Sequence, residues 1–331
     1  MKSRSLVLLI FIIAFHSTLS SQQFEKRDMT EMQWYKGNLH THARAGESDT
    51  TVKYVIEWYM DHGYNFLVIT DHKTITIPQK FWDSKDSSFI FIPGEEFQGY
   101  GSEEEVEINA LNIHKIIQPL HNSTVLGALQ DCIDAARQQG SIPSINHPNY
   151  NWRLKGDVLL NSRNCNLFEL YNGFPGTNNR GDDKHPGLEE VWDFILTSGK
   201  RIYGIASDDA HVYKKFSAEF SNPGRGWVCV KAKSLDVNEI MLNLDSGLFY
   251  SSTGVEIEDF QVKPIQLEIF IKESNNNDYT TDFIGSGGKL LYRTNNNPAV
   301  YDLLTDGNYV RAKITATDGK CAWIQPVFII Q

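Results

Sequence analysis

An α/β fold on a mainly parallel sheet, open or closed into a barrel, is predicted for this chain by two observations. Short apolar strand patterns alternate with amphipathic helix patterns from about residue 34 to about residue 254, the order that crossover connections produce. His, Asp and Glu recur where those strands end, and in parallel α/β folds functional side chains gather at the carboxyl ends of strands. A third observation bounds the fold. After about Glu256 no helix pattern appears, and strand patterns are joined by Asn-rich and Gly-rich turns.

The first strand runs into Gly37-Asn38-Leu39-His40-Thr41-His42. A helix with Val52, Val55, Ile56 and Tyr59 on one face follows, capped by Asp49 or Thr50 and stopped at Gly63. Phe66 to Thr70 is a short apolar strand, Phe89 to Ile92 a second that ends at Pro93-Gly94, and Ile108 to Ile113 a third. Leu126 to Gln139 is a helix ended by Gly140. Ile142 to Ile145, Leu167 to Leu170 and Ile202 to Ala206 read as buried strands, with a helix over Leu188 to Leu196 between the last two. Trp227 to Val230, a helix near Val237 to Leu244, and Phe249 to Ser251 continue the alternation. Beyond it, Gln266 to Ile271, Lys289 to Arg293 and Val310 to Thr317 read as strands of a small antiparallel β unit over residues 256–331.

The chain has 331 residues, 41% hydrophobic and 22% charged, room for one large domain and a smaller one. Lys2 and Arg4 are the only charges in the first 21 residues, so a net charge of −10 leaves −12 on the rest. With no basic run, a nucleic-acid backbone is not expected as a bulk partner. Lys2 and Arg4, the apolar run Leu6 to Phe15, and Ser17, Ser20 and Ser21 read as a secretory signal over residues 1–21. An uncleaved anchor is the rival reading of that run, which is short for a membrane span. The α/β region then covers 22–255. The mature protein is expected to be secreted or periplasmic and free of the membrane. Cys132, Cys165, Cys229 and Cys321 form no CxxC pair, so a zinc-thiolate site is not expected. Four cysteines allow three disulfide pairings. Cys132 and Cys229 lie in apolar patterns and read as core.

His40 and His42 are one residue apart on an extended segment, so they point to one side. Paired imidazoles of that kind can begin a transition-metal site. Further strand ends carry Asp71-His72, Glu95-Glu96, Asn146-His147-Pro148 and Asp208-Asp209-Ala210-His211. Imidazole nitrogen with carboxylate oxygen suits zinc, manganese or iron. So many donors exceed the needs of one ion and fit two or three.

These pieces carry a resemblance. Leu39-His40-Thr41-His42, Thr70-Asp71-His72, Gly94-Glu95-Glu96, Asn146-His147-Pro148 and Ser207-Asp208-Asp209-Ala210-His211 match in order and spacing the polymerase and histidinol phosphatase (PHP) family, over roughly residues 36 to 254. The resemblance implies a distorted (β/α)7 TIM-like barrel with two or three divalent metals. It makes ligands of His40, His42, His72, Glu96, His147, Asp209 and His211, with Glu96 bridging, and matches Asp49 to an acidic or His ligand shortly after the HxH. Where many relatives have a His, this chain has Glu107. Glu107 is favoured as the ligand there over His114, which would face the opposite side of a regular strand.

His185 and Arg225 are the candidates for holding an anionic substrate, Arg225 because a guanidinium matches phosphate bidentately. Asp71, beside His72, is the candidate partner of that ligand or proton acceptor. The expected chemistry is hydrolysis of a phosphate mono- or diester on a small phosphorylated substrate, with metals lowering the pKa of the attacking water. Asp71 and Asp209 are the expected catalytic carboxylates. Two alternatives stand: a metal-dependent amide or C–O hydrolase on the same barrel, and a secreted non-catalytic binding protein.

Overall fold

Seventeen strands and five helices are formed by residues 31–82, 87–303 and 307–329, the part of the chain that the computed structural model describes. The signal expected over residues 1–21 lies outside the described residues. The strands are β1 (Gln33–Asn38), β2 (Phe66–Ile69), β3 (Ile90–Gly101), β4 (Glu104–Leu111), β5 (Leu120–Asn122), β6 (Ile142–Ile145), β7 (Leu167–Asn172), β8 (Tyr203–Ser207), β9 (Trp227–Ala232), β10 (Phe249–Ser252), β11 (Ile257–Lys263), β12 (Gln266–Ile271), β13 (Tyr279–Gly285), β14 (Lys289–Thr294), β15 (Ala299–Asp302), β16 (Tyr309–Ala316) and β17 (Cys321–Phe328). The helices are α1 (Val52–Asp61), α2 (Val125–Gln138), α3 (Gly156–Asn161), α4 (Leu188–Thr197) and α5 (Val237–Asp245).

The fold is α/β, and its sheet is mixed rather than mainly parallel. Fourteen strands join one sheet along the path β14-β13-β16-β17-β10-β9-β1-β2-β3-β4-β6-β7-β8, with β5 on β3. β1, β2 and β3 are parallel, as are β6, β7 and β8. β4 breaks the run by hairpinning back antiparallel on β3. The third strand therefore does not end at Pro93-Gly94. Its pairing with β2 stops at Pro93, and pairing with β4 then carries it on to Gly101. Gly37 lets β1 meet β2 closely, because a Cβ there would lie 2.1 Å from the Phe66 ring.

The sheet is not closed by a backbone ladder between β8 and β9. Side chains serve the free edge of β8 instead. The Gln325 amide accepts from Gly204 N (3.0 Å) and donates to Gly204 O (2.9 Å). Ser251 Oγ accepts from Ala206 N (3.1 Å) and donates to Gly204 O (2.8 Å). At the carboxyl ends a backbone bridge forms, where Thr41 pairs with Ala210 in parallel.

α1 is capped by Thr51, whose hydroxyl accepts from Tyr54 N, and not by Asp49 or Thr50. Its buried face is Val52, Val55, Ile56 and Tyr59, as the spacing predicts. β11, β12 and β15 form a separate three-stranded sheet, while β17 pairs directly with β10. One apolar cluster runs from Val55 and Ile56 through Phe260, Ile269 and Phe283 to Ile324. A buried bidentate pair, Arg311 to Asp193 (2.7 and 2.6 Å), ties β16 to α4. All four cysteines are unpaired, with Cys132 and Cys229 buried. No helix among the described residues is long and apolar enough to cross a membrane.

Candidate metal centre

The site is assembled where β1, β2, β6 and β8 give out. After β1, Asn38 Oδ1 accepts from His40 N and Thr41 Oγ1 (both 3.0 Å) and turns the HxH segment inward. His40 O accepts from Asp209 N and Ala210 O accepts from His42 N (both 3.0 Å), so the HxH and DAH segments are stitched together. His147 and Asp209 hold φ of +20° and +49°, a region side chains seldom adopt and one that concentrates at functional sites.

Two carboxylates organise five imidazoles. Glu96 Oε2 lies 3.1, 3.2 and 3.3 Å from the Nε2 atoms of His40, His42 and His72, and Glu96 Oε1 lies 3.4 Å from His147 Nε2. Asp209 Oδ1 lies 3.2, 3.2 and 3.3 Å from the Nε2 atoms of His40, His42 and His211. Three donor groups overlap: His40, His42, Glu96 and Asp209; His42, Glu47 and His72; His72, Glu96 and Glu107. Within each, ligand atoms lie inside 4.8 Å of one another.

The donor set fits divalent transition metals. His42 Nε2 is buried without a hydrogen-bond partner although two carboxylates flank it, a costly arrangement for a protein nitrogen and a natural one for a metal ligand. His211 Nδ1 faces the Glu47 carbonyl at 2.7 Å and must donate to it, which leaves Nε2 as the nitrogen toward the cluster. The electrostatics agree. Burial alone lowers the pKa of these histidines, but the carboxylates outweigh it. Asp209, Glu96 and Glu169 hold His40 well above its ordinary value. Glu107, Glu47 and Glu96 hold His72 up to about 10, and Glu96, Glu169 and Asp209 hold His147 at about 9. Burial would raise Glu96 and Asp209, yet the imidazoles keep both well below the carboxylate range. The centre thus demands positive charge, which protons or metals supply.

Most of the expected ligands converge here: His40, His42, His72, Glu96, His147, Asp209 and His211, with Glu107 beside His72. Glu96 arrives from the middle of β3, not from a strand end. His114 is exposed, beyond the end of β4. Glu47 lies nearer the cluster than Asp49: its Oε2 is 3.1 Å from His42 Nδ1 and 3.4 Å from His72 Nδ1 and accepts from His72 N (3.0 Å), while Oε1 accepts from Arg44 Nε (2.6 Å). The Asp49 carboxylate instead accepts from Tyr213 N (2.8 Å) and Lys214 N (3.1 Å), bracing the loop after His211. The Asp71 oxygens receive Ala43 N (2.8 Å), Arg44 N (3.1 Å) and the Thr76 hydroxyl. Asp71 clamps the HxH loop.

Neither candidate for holding the anion faces the cluster. Arg225 donates to the carbonyls of Gly173 (2.9 Å) and Ser217 (2.5 Å) and to Asn222 Oδ1 (3.2 Å), so both of its terminal nitrogens are used in loop packing. His185 stacks on Trp152 at 4.0 Å and bonds to Asp182.

Glu169 escaped sequence reasoning. Wholly buried on β7, it accepts from His40 Nδ1 (2.7 Å), His147 N (2.6 Å), Ser207 Oγ (2.5 Å) and Asn172 Nδ2 (2.7 Å). The signal was a lone carboxylate inside the apolar run Leu167-Phe168-Glu169-Leu170. Asn146 Nδ2 donates to Glu96 Oε1 (2.7 Å) and Asn172 Nδ2 to Asp209 Oδ2 (3.2 Å), fixing both carboxylates. A cavity of about 250 Å³ opens over the cluster, walled opposite by Tyr150, Phe174 and Thr177.

No family model and no curated protein matches the sequence. Solved structures do. The chain is similar in structure to PHP-like metal-dependent phosphoesterases. One is a two-domain protein from Bacteroides vulgatus containing a predicted PHP-like metal-dependent phosphoesterase, 14% identical, over 88% of this chain and 93% of that one, TM-score 0.48. Another is a lesion-specific endonuclease from Pyrococcus furiosus, 14% identical, over 65% of this chain and 56% of that one, TM-score 0.42. A third, assigned as a metal-dependent phosphoesterase from Bifidobacterium adolescentis, is 11% identical, over 53% of this chain and 87% of that one, TM-score 0.38.

Proposed function

We propose that the protein is a metal-dependent hydrolase of phosphate esters, of the PHP type, on a distorted barrel whose strand path stays open. One observation carries this reading: Glu96 and Asp209 each span several imidazoles, an arrangement suited to two or more cations. His40, His42, Glu47, His72, Glu96, Glu107, His147, Asp209 and His211 would hold two or three zinc, manganese or iron ions. When bound, such ions supply a water of lowered pKa and positive charge against phosphoryl oxygens. The chain's own part is to fix those donors. Glu169 holds His40 with its Nδ1 proton turned away from the cluster, Asn146 and Asn172 aim the two carboxylates, and Asp71 clamps the HxH loop. The cavity admits a phosphoryl group and a small leaving group. We place the mature protein outside the cytoplasm, acting on small phosphorylated compounds rather than on nucleic acid in bulk.

The test is turnover of p-nitrophenyl phosphate and bis(p-nitrophenyl) phosphate by protein of measured metal content, with Asp209→Ala alongside. Metal-dependent turnover that the variant loses is expected, and the better ester separates mono- from diesterase. No turnover of either ester by protein that holds its metals refutes the reading.

A further inference from the structure

We propose that Tyr150 and Phe174 form an aromatic wall that selects a flat, apolar, uncharged leaving group, so that the preferred substrate is an aryl phosphate ester. The inference rests on the phosphoesterase reading and narrows its substrate. The cavity has two unlike halves. One is the metal-competent cluster. The other begins with the Tyr150 ring, 5.4 Å from the His147 ring and steeply inclined to it (66°), and ends with the Phe174 ring, 5.8 Å from the His211 ring (79°). The two rings meet each other edge to face at 6.0 Å. They make a continuous apolar strip from one side of the cluster to the other.

The rest of that half offers little to a polar group. Thr177 turns its hydroxyl onto the carbonyls of Asn172 (3.1 Å) and Phe174 (2.9 Å). No lysine or arginine lines the cavity among the described residues. Arg153 lies over the Tyr150 ring, 5.3 Å from its centroid, and is paired there with Glu105 (2.9 Å) and Glu107 (3.3 Å). A second phosphate or a carboxylate on the leaving group would therefore find no unpaired lysine or arginine on that wall to hold it. A flat ring would instead bury its faces and edges against Tyr150 and Phe174.

The wall is held in place. Asn149 Nδ2 donates to Asn178 O (3.1 Å) and Pro186 O (3.0 Å), and Asn178 Nδ2 donates back to Asn149 O (3.1 Å). The Trp152–His185 stack joins the same two loops. In the reaction, water oxygen bonds to phosphorus, the bond from phosphorus to the aryl oxygen breaks, and a proton from water ends on the released phenol beside inorganic phosphate.

The test is calorimetric binding of phenylphosphonate and of methylphosphonate, neither of which is hydrolysed, to metal-loaded protein. Phenylphosphonate should bind about tenfold more tightly, the scale of contact with two rings. That ratio should fall toward one in Tyr150→Ala and Phe174→Ala, at unchanged metal content, and lie between in Phe174→Leu, which keeps bulk without the ring. A ratio near one in the native protein, or a ratio that survives both alanine variants, overturns the aryl wall while leaving the phosphoesterase reading standing. Failure of both phosphonates to bind protein that holds its metals overturns the two together.

Discussion

Replacing Glu169 by Gln isolates the part of the centre that positions a ligand without touching a metal. Glutamine keeps the shape but exchanges one acceptor oxygen for an NH2 donor. At the Oε2 position it would face His147 N (2.6 Å) and Asn172 Nδ2 (2.7 Å), and both can only donate. The NH2 must therefore take the Oε1 position, against Ser207 Oγ (2.5 Å) and His40 Nδ1 (2.7 Å). Ser207 can turn its hydroxyl and accept. His40 can accept only by shifting its proton to Nε2, and Nε2 is the nitrogen that faces Glu96 Oε2 (3.1 Å) and Asp209 Oδ1 (3.2 Å). A protonated Nε2 cannot bind a metal. Loss of such a partner typically weakens metal affinity about 10–100-fold, or about 1.4–2.8 kcal/mol. Calorimetric titration of manganese or zinc into chelator-stripped protein measures it, with circular dichroism to show that the variant is folded. A folded Glu169→Gln protein that binds metal as tightly as the native one refutes the tautomer argument.

Three further perturbations follow from the geometry. Glu47→Gln should weaken metal binding about tenfold or more because it removes a charged donor beside His42 and His72, whereas Asp49→Asn should act less strongly, through the loop after His211; the same titration ranks them, and the reverse order sinks the assignment of Glu47. Asp193→Ala leaves the buried Arg311 guanidinium with only the longer Glu189 contact (3.5 Å) and should cost about 3–5 kcal/mol of stability, read by urea unfolding, with a loss under 1 kcal/mol counting against β16 being anchored to α4 in this way. Burial lowers His147, but Glu96, Glu169 and Asp209 raise it from 6.5 to about 9. Stripped protein therefore has this contribution, about 3 kcal/mol, in full below pH 6.5 and loses it as pH rises through about 9. Unfolding at pH 6.5 and 9.5 should show the fall, and equal stability at the two would contradict it.

What was legible in the chain was chemistry attached to a local pattern. His40, His42, His72, His147, Asp209 and His211 follow apolar strands, so their type and place announce a site before any contact is known. What was not legible depends on distant backbone. Nothing in Pro93-Gly94-Glu95-Glu96 reveals that β4 returns to extend β3, so Glu96 looked like the end of a strand. Glu47 and Asp49 lie two apart in one loop without periodicity. The choice between them is made by the amides of Tyr213 and Lys214, more than 160 residues away, which claim Asp49. Arg225 has the right group for phosphate, but the carbonyls of Gly173 and Ser217 take it, and a carbonyl is the same in every residue type. The sheet shows the same limit. Alternation called for a parallel sheet with crossover helices, yet whether β8 meets another strand or the side chains of Ser251 and Gln325 is decided by residues 45 and 121 positions along the chain. A side chain declares what it can do, whereas the backbone group that employs it is visible only in the fold. For that reason the residues that gather at the cluster are announced by their own type, whereas the surroundings of Asp71, Arg225 and His185, whose chemistry is generic, are set by main-chain groups and neighbouring side chains.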